Sequence, residues 1–296
     1  MTCLRRRQFL LAAAAASLAP LRLRSASPES AIGEGVGSIA VCLGSGALHG
    51  YAHIGAIRAF ERLGLRPDVI TGTSVGAIAG VLWAAGFDAD QIEALSHDRS
   101  WRESSGLRLP RLGIGKLDGL RDLIEEQLSG RPIEALPTRF AALATDLDSG
   151  LPVILDRGPA GPAIAASASV PIRYEPVRIG GRRLIDGALS APVPVDAARA
   201  LGADFAIAVD VAYRPYEEPI SGISDVAFQM FHIMVNRLID EQIGRADFAI
   251  RLDAHRIMSG ENGLSALIDA GEAAVRQHWP QLREALAGAG MALSGP

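Results

Sequence analysis

The chain has 296 residues, of which 49% are hydrophobic, 21% charged and 5% aromatic. That is enough apolar material to bury a large core, and too much for general disorder. A formal net charge of −4 supplies no basic field and argues against a nucleic-acid partner. Of the cysteines, Cys3 lies in the leading segment and Cys42 in an apolar run; no internal disulfide is expected, and Cys42 reads as a core residue.

Residues 1–27 read as an export signal. Arg6-Arg7-Gln8-Phe9-Leu10 resembles the twin-arginine pattern, Leu10 to Leu21 is an alanine-rich apolar segment too short to span a bilayer, and Ser25-Ala26-Ser27-Pro28 offers small residues for cleavage. A periplasmic or extracellular destination is the expectation, with an uncleaved membrane tether as the alternative.

A Gly/Ser/Glu-rich linker over residues 28–38 precedes Ile39-Ala40-Val41-Cys42-Leu43, a continuous apolar run suited to a buried parallel strand. The strand passes into Gly44-Ser45-Gly46-Ala47-Leu48-His49-Gly50 and then a helix over Tyr51–Leu63, with Ile54, Ile57 and Phe60 on one face and Gly64 as its stop. Val69-Ile70-Thr71 leads into Gly72-Thr73-Ser74-Val75-Gly76 and a helix that Gly86 closes. This βαβα unit predicts a parallel sheet covered by helices. Farther on, strands are expected over Phe140–Ala144, Pro152–Leu155, Glu175–Ile179, Arg183–Ile185 and Phe205–Val211. Helices are expected over Gly161–Val170, Pro194–Leu201 and Ser224–Ile243, and over Gly263–Leu286 with a break near Pro280. The domain reading is a core over 39–211 and a mainly helical extension over 212–296 packed on it.

Chemistry concentrates at two loops. Ser74 stands between a strand and a helix with glycines two residues to either side, the pattern of a nucleophile elbow. Its hydroxyl would lie at a helix N-terminus, where orphan amides favour developing negative charge. The Gly44–Gly50 loop likewise joins a strand to a helix and can aim successive amides at an anion. It is not a dinucleotide fingerprint, because His49 takes the place of the last glycine, and no phosphate-loop lysine follows.

Three blocks in this order, Leu43–Gly55, Gly72–Gly76 and Asp186-Gly187-Ala188, resemble the patatin-like phospholipases, most closely their bacterial branch. The resemblance covers about Ile39 to Val211. It implies a three-layer αβα fold with a mainly parallel central sheet and a lipid acyl hydrolase that uses a serine–aspartate dyad. Carried over residue by residue, Ser74 is the nucleophile and Asp186 the base, amides around Ser45, Gly46 and Ala47 form the oxyanion hole, and Gly72, Gly76, Gly187 and Ala188 complete the motifs. No metal or cofactor is implied; the partner is a lipid ester, with transient contact to a membrane surface and no nucleic acid. One departure stands out: His49 occupies a position that the family usually fills with arginine or lysine, which gives it an electrostatic role open to pH.

Other readings compete. A Ser74–Asp210–His255 triad obeys the α/β-hydrolase chain order, and a non-catalytic lipid-binding relative is compatible with His49. His53 is expected to serve packing or hydrogen bonding, and His97, His232, His255 and His278 show no metal-ligand spacing. The stretch from Trp101 to Lys116 reads as a connector in preference to a pocket cover. The Met230, Met234 and phenylalanine face of the long helix reads as core in preference to an acyl pocket.

Overall fold

A computed structural model of the chain describes residues 37–97, 115–212, 220–252 and 263–291. The leading segment, the Trp101–Ile114 part of the connector and His255 lie outside the described residues. Eight strands form one sheet: β1 (Ile39–Leu43), β2 (Val69–Thr73), β3 (Arg139–Asp146), β4 (Pro152–Leu155), β5 (Val177–Ile179), β6 (Arg182–Asp186), β7 (Phe205–Asp210) and β8 (Phe248–Arg251). Their order is β5-β6-β3-β2-β1-β7-β8, with β4 also pairing to β3. The β3-β2-β1-β7-β8 stretch is parallel, while β4, β5 and β6 pair antiparallel.

Helices cover both faces, as a mainly parallel sheet requires. They are α1 (Tyr51–Arg62), α2 (Val75–Ala84), α3 (Ala89–His97), α4 (Asp118–Gln127), α5 (Ala160–Ser167), α6 (Val195–Ala200), α7 (Ile223–Ile243) and α8 (Gly263–Gly288). The alternation along β1 sorts the layers. Ile39, Val41 and Leu43 pack with residues of α1, α2 and α8 on one side, whereas Ala40 and Cys42 meet Val195 and Ala198 of α6 and Val235 and Ile239 of α7 on the other. Cys42 is fully buried, and burial pushes its thiol up to about 12, so it is the inert core residue expected.

The strand β8 was not legible in the sequence. Its four residues extend the sheet from within the 212–296 segment by parallel pairing with β7. α8 runs through Pro280 without the expected break. Pro280 lies on the exposed face, where the carbonyl one turn earlier can be hydrated instead. α5 ends at Ser167, short of Val170, and the residues that follow turn towards the sheet, where the Ser169 carbonyl accepts from the Asp186 amide at 2.8 Å.

β1 is the switch point of the sheet. From it the chain steps to β2 and β3 on one side and to β7 and β8 on the other, so the loops after β1 and β2 open into a crevice at their carboxyl ends. Gly44–Gly50 follows β1 and Ser74 follows β2.

Candidate active site

Ser74 has φ 56° and ψ −120°, a left-handed conformation that non-glycine residues adopt only where the surroundings impose it. The imposed turn is held from both sides. Its amide donates to Ser167 Oγ at 2.9 Å, and that hydroxyl donates to the Leu143 carbonyl at 2.6 Å. A β-carbon at Gly76 would overlap the Leu43 carbonyl oxygen, and one at Gly187 the Leu143 carbonyl oxygen, so both motif glycines are required by close backbone approach. Ser74 occupies the N-cap of α2, yet its side chain makes no capping bond. The hydroxyl donates instead to Asp186 Oδ2 at 2.8 Å.

Asp186 arrives at the end of β6, opposite Ala144 of β3. Its other carboxylate oxygen accepts from the Ala188 amide at 2.8 Å. Its main chain is fixed by Ser169 and by Thr145 Oγ1, which donates to the Asp186 carbonyl at 2.9 Å. With 1% of its surface exposed, the carboxyl has its pKa raised to about 7 by burial, against the lowering effects of the Ala188 amide and the Ser74 hydroxyl. A base poised there can take a serine proton near neutral pH, which an ordinary surface carboxylate does poorly.

The loop after β1 supplies two amides to the same crevice. The Ser45 amide donates to the Pro192 carbonyl at 2.8 Å, which leaves the amides of Gly46 and Ala47 as the candidates among the three positions expected from the sequence. Neither of these amides has an acceptor among the described residues. Ala47 sits at φ 49°, and this left-handed turn starts a short 3-10 helix over Ala47–Gly50. His53 anchors the root of the loop. Fully buried, its pKa pushed down to about 4 by burial, it is neutral and donates from Nε2 to the Gly44 carbonyl at 2.7 Å, the structural part expected for it. His49 is buried and does not line the pocket.

The pocket is walled by Ser74, Asp186, Val170, Phe228, Phe231 and Val235, and it also presents Arg173 and His232. Phe228 and Phe231 thus line the pocket, Phe231 packing against the core as well, while Met230 and Met234 point to solvent, 58% and 56% exposed; the expectation of a buried methionine face is corrected. His232 is held neutral, its pKa lowered to about 4 by burial and then by the nearby Arg173 and His49. No sequence signal marks Ser167, Arg173 or His232 as parts of this site, because each reaches it only through the packing of α5, the turn after it and α7. Asp210 does not line the pocket; it accepts from the Ala212 amide at 2.9 Å with Arg251 3.5 Å away.

A mainly parallel sheet bearing a strained serine at its switch point, with a carboxyl in hydrogen-bond reach, defines an α/β protein of the nucleophile-elbow class. Within that class, the chain belongs to the patatin-like phospholipase family, which its residues 41–199 match. An uncharacterised NTE family protein of Mycobacterium tuberculosis is 36% identical over 200 residues, covering 65% of this chain and 52% of that protein. The rat patatin-like phospholipase domain-containing protein 7 is 30% identical over 187 residues, covering 60% of this chain and 14% of that protein. This chain therefore spans about half the length of the mycobacterial relative and a small part of the rat one. In fold, it is similar to the crystal structure of VipD from Legionella pneumophila, with a TM-score of 0.50 at 13% identity, covering 83% of this chain and 67% of that one.

Proposed function

We propose that the protein hydrolyses lipid esters through a Ser74–Asp186 dyad and an acyl-enzyme intermediate. The observation that carries this reading is the 2.8 Å bond from the Ser74 hydroxyl to the buried Asp186 carboxyl, beside the two uncommitted amides of Gly46 and Ala47. Ser74 Oγ attacks the ester carbonyl carbon as its proton passes to Asp186, and the carbonyl oxygen, now negative, is received by the two amides. The bond to the leaving alcohol breaks, and Asp186 returns its proton to that oxygen. Water then attacks the acyl carbon, giving a proton to Asp186; the fatty acid leaves and Ser74 is reprotonated. Membership of the patatin-like phospholipase family and the aromatic and aliphatic pocket walls support a lipid over a small polar ester. A relative from Aspergillus fumigatus, lysophospholipase nte1, 29% identical over 182 residues, agrees with the same substrate class.

The test is hydrolysis of a panel of phospholipids, lysophospholipids and glycerides, together with labelling by a fluorophosphonate. The wild type is expected to react with the probe and to cleave at least one lipid, and Ser74→Ala to do neither. A correctly folded wild type that is silent on every ester and unlabelled would overturn the reading. Export through Arg6 and Arg7 is proposed with it: replacing both by lysine is expected to hold the protein in the cytoplasm, and an unchanged distribution would refute that.

A further inference from the structure

The dyad and the amides account for the ester and leave a charged group in the same pocket without a task. Arg173 lines that pocket together with Ser74, Asp186, Phe228 and His232. Its backbone is pinned independently of its side chain: the amide donates to the Val170 carbonyl at 3.2 Å and the carbonyl accepts from the Gly115 amide at 2.7 Å. Directly before it, Ile172 adopts φ 73° while 61% exposed. A β-branched residue in this conformation carries strain, and so exposed a side chain recovers little of it by burial. What the strained turn achieves is the placement of the next residue. The guanidinium carbon of Arg173 lies 4.2 Å from the centroid of the Phe228 ring, which orients the planar group by stacking.

Among the described residues the guanidinium has no counter-charge. Arg58, Arg183, Arg199 and Arg245 each pair with a carboxylate, but no carboxylate among the described residues pairs with Arg173. Burial lowers its pKa, against a smaller raising influence of the Tyr174 phenol. Asp186 is not its partner either, because burial, the Ala188 amide and the Ser74 hydroxyl govern that carboxyl. A half-buried cation without an anion is unfavourable, and a ligand that brings the anion relieves this.

We propose that Arg173 binds the phosphate of a phospholipid or lysophospholipid headgroup and holds it beside the ester that Ser74 attacks. This rests on the hydrolase reading above and narrows its substrate to phosphate-bearing lipids. The guanidinium fork matches two phosphate oxygens, and the neutral His232 next to it adds no competing charge.

The experiment compares kcat/KM of the full-length protein for a short-chain lysophosphatidylglycerol and for the monoacylglycerol with the same acyl chain. A charged hydrogen-bonded pair is worth about 1.5–3 kcal/mol, so Arg173→Gln is expected to lower the ratio of the two values about 10- to 100-fold. Arg173→Lys, which keeps the charge but loses the fork and the stacking, is expected to fall between. A ratio that stays within about threefold of wild type in Arg173→Gln overturns the proposal. Binding of the same two lipids and of inorganic phosphate to the Ser74→Ala protein, with and without Arg173→Gln, decides the matter without turnover. Selective weakening of the lysophospholipid supports the assignment. Equal weakening of both lipids, or an Arg173 effect on inorganic phosphate alone, refutes it. Should the wild type cleave neither ester, the hydrolase reading fails while the binding comparison still judges Arg173.

Discussion

Asp186 sets chemistry against stability. Its pKa of about 7 in the folded chain, against an ordinary 3.8, means that the folded state holds a proton more tightly than the unfolded one. The favourable contribution is therefore complete below pH 3.8 and is lost as pH rises through 7, a difference of roughly 4 kcal/mol. Catalysis needs the opposite form. In the proposed dyad the ionised carboxylate is the base, so kcat/KM is expected to rise with pH on a limb centred near 7. Asp186→Asn keeps an oxygen for the Ala188 amide and cannot ionise. It is expected to lower activity about 10²- to 10⁴-fold and to melt above the wild type at pH 8, with the advantage shrinking towards pH 4. A variant that melts below the wild type at pH 8 would contradict the assignment of a strained, buried base. Ser74 at φ 56° and Ala47 at φ 49° belong to the same pattern, in which backbone strain is held at the site by the surrounding fold.

At the scale of elements, α7 and α8 behave differently from what their sequences suggest. α7 is apolar on more than one side, and only its second half is buried, through Val235, Ile239 and Gln242; Ile223, Val226, Met230, Ile233 and Met234 remain exposed. Replacing Ile233 and Met234 together by serine is expected to change the unfolding free energy by less than about 1 kcal/mol, whereas Ile239→Ala is expected to cost about 2–5 kcal/mol. Chemical denaturation of the two variants measures both, and a large loss in the first would mean that the exposed face is packed. The crossing of α1 and α8 depends on two glycines. A β-carbon at Gly55 would overlap the Ile268 carbonyl and one at Gly271 the Ala52 carbonyl, so the backbones touch directly. Gly271→Ala is expected to destabilise the protein by more than about 2 kcal/mol; a melting temperature equal to wild type would show that the helices can separate at no cost. Gly55 stands out in the sequence as part of a motif, but its partner 216 positions later is visible only in the packed structure.

For the molecule as a whole, acid is the informative stress. His53 and His232 have pKa values lowered by burial to about 4 from 6.5, so the stability they confer is present above pH 6.5 and is lost as pH falls towards 4. For the fully buried His53 this amounts to roughly 3 kcal/mol. Asp186 works in the other direction over nearly the same interval, and two histidines outweigh one carboxyl. Melting temperature is therefore expected to fall on acidification from pH 6.5 to 4, more steeply in Asp186→Asn, where the opposing group is gone. A profile that is flat in both proteins would show that the histidines are not held neutral. Among the described residues no helix is long and apolar enough to cross a membrane.

Local pattern alone determined the parallel βαβα start, the strand–serine–helix elbow, the glycines of close approach and the glycine loop, because each is written in neighbouring residues whose spacing follows strand and helix periods. The pairing of Ser74 with a carboxyl 112 positions away was reachable only as a resemblance, and the structure adds the burial that makes that carboxyl a usable base. Which loop amides remain uncommitted, that Phe228 and Phe231 turn into the pocket while Met230 and Met234 turn out, that β8 extends the sheet, and that Arg173 faces the site were all decided by tertiary packing. Burial, hydrogen-bond competition and desolvation are properties of what surrounds a residue, and segments distant in sequence supply those surroundings.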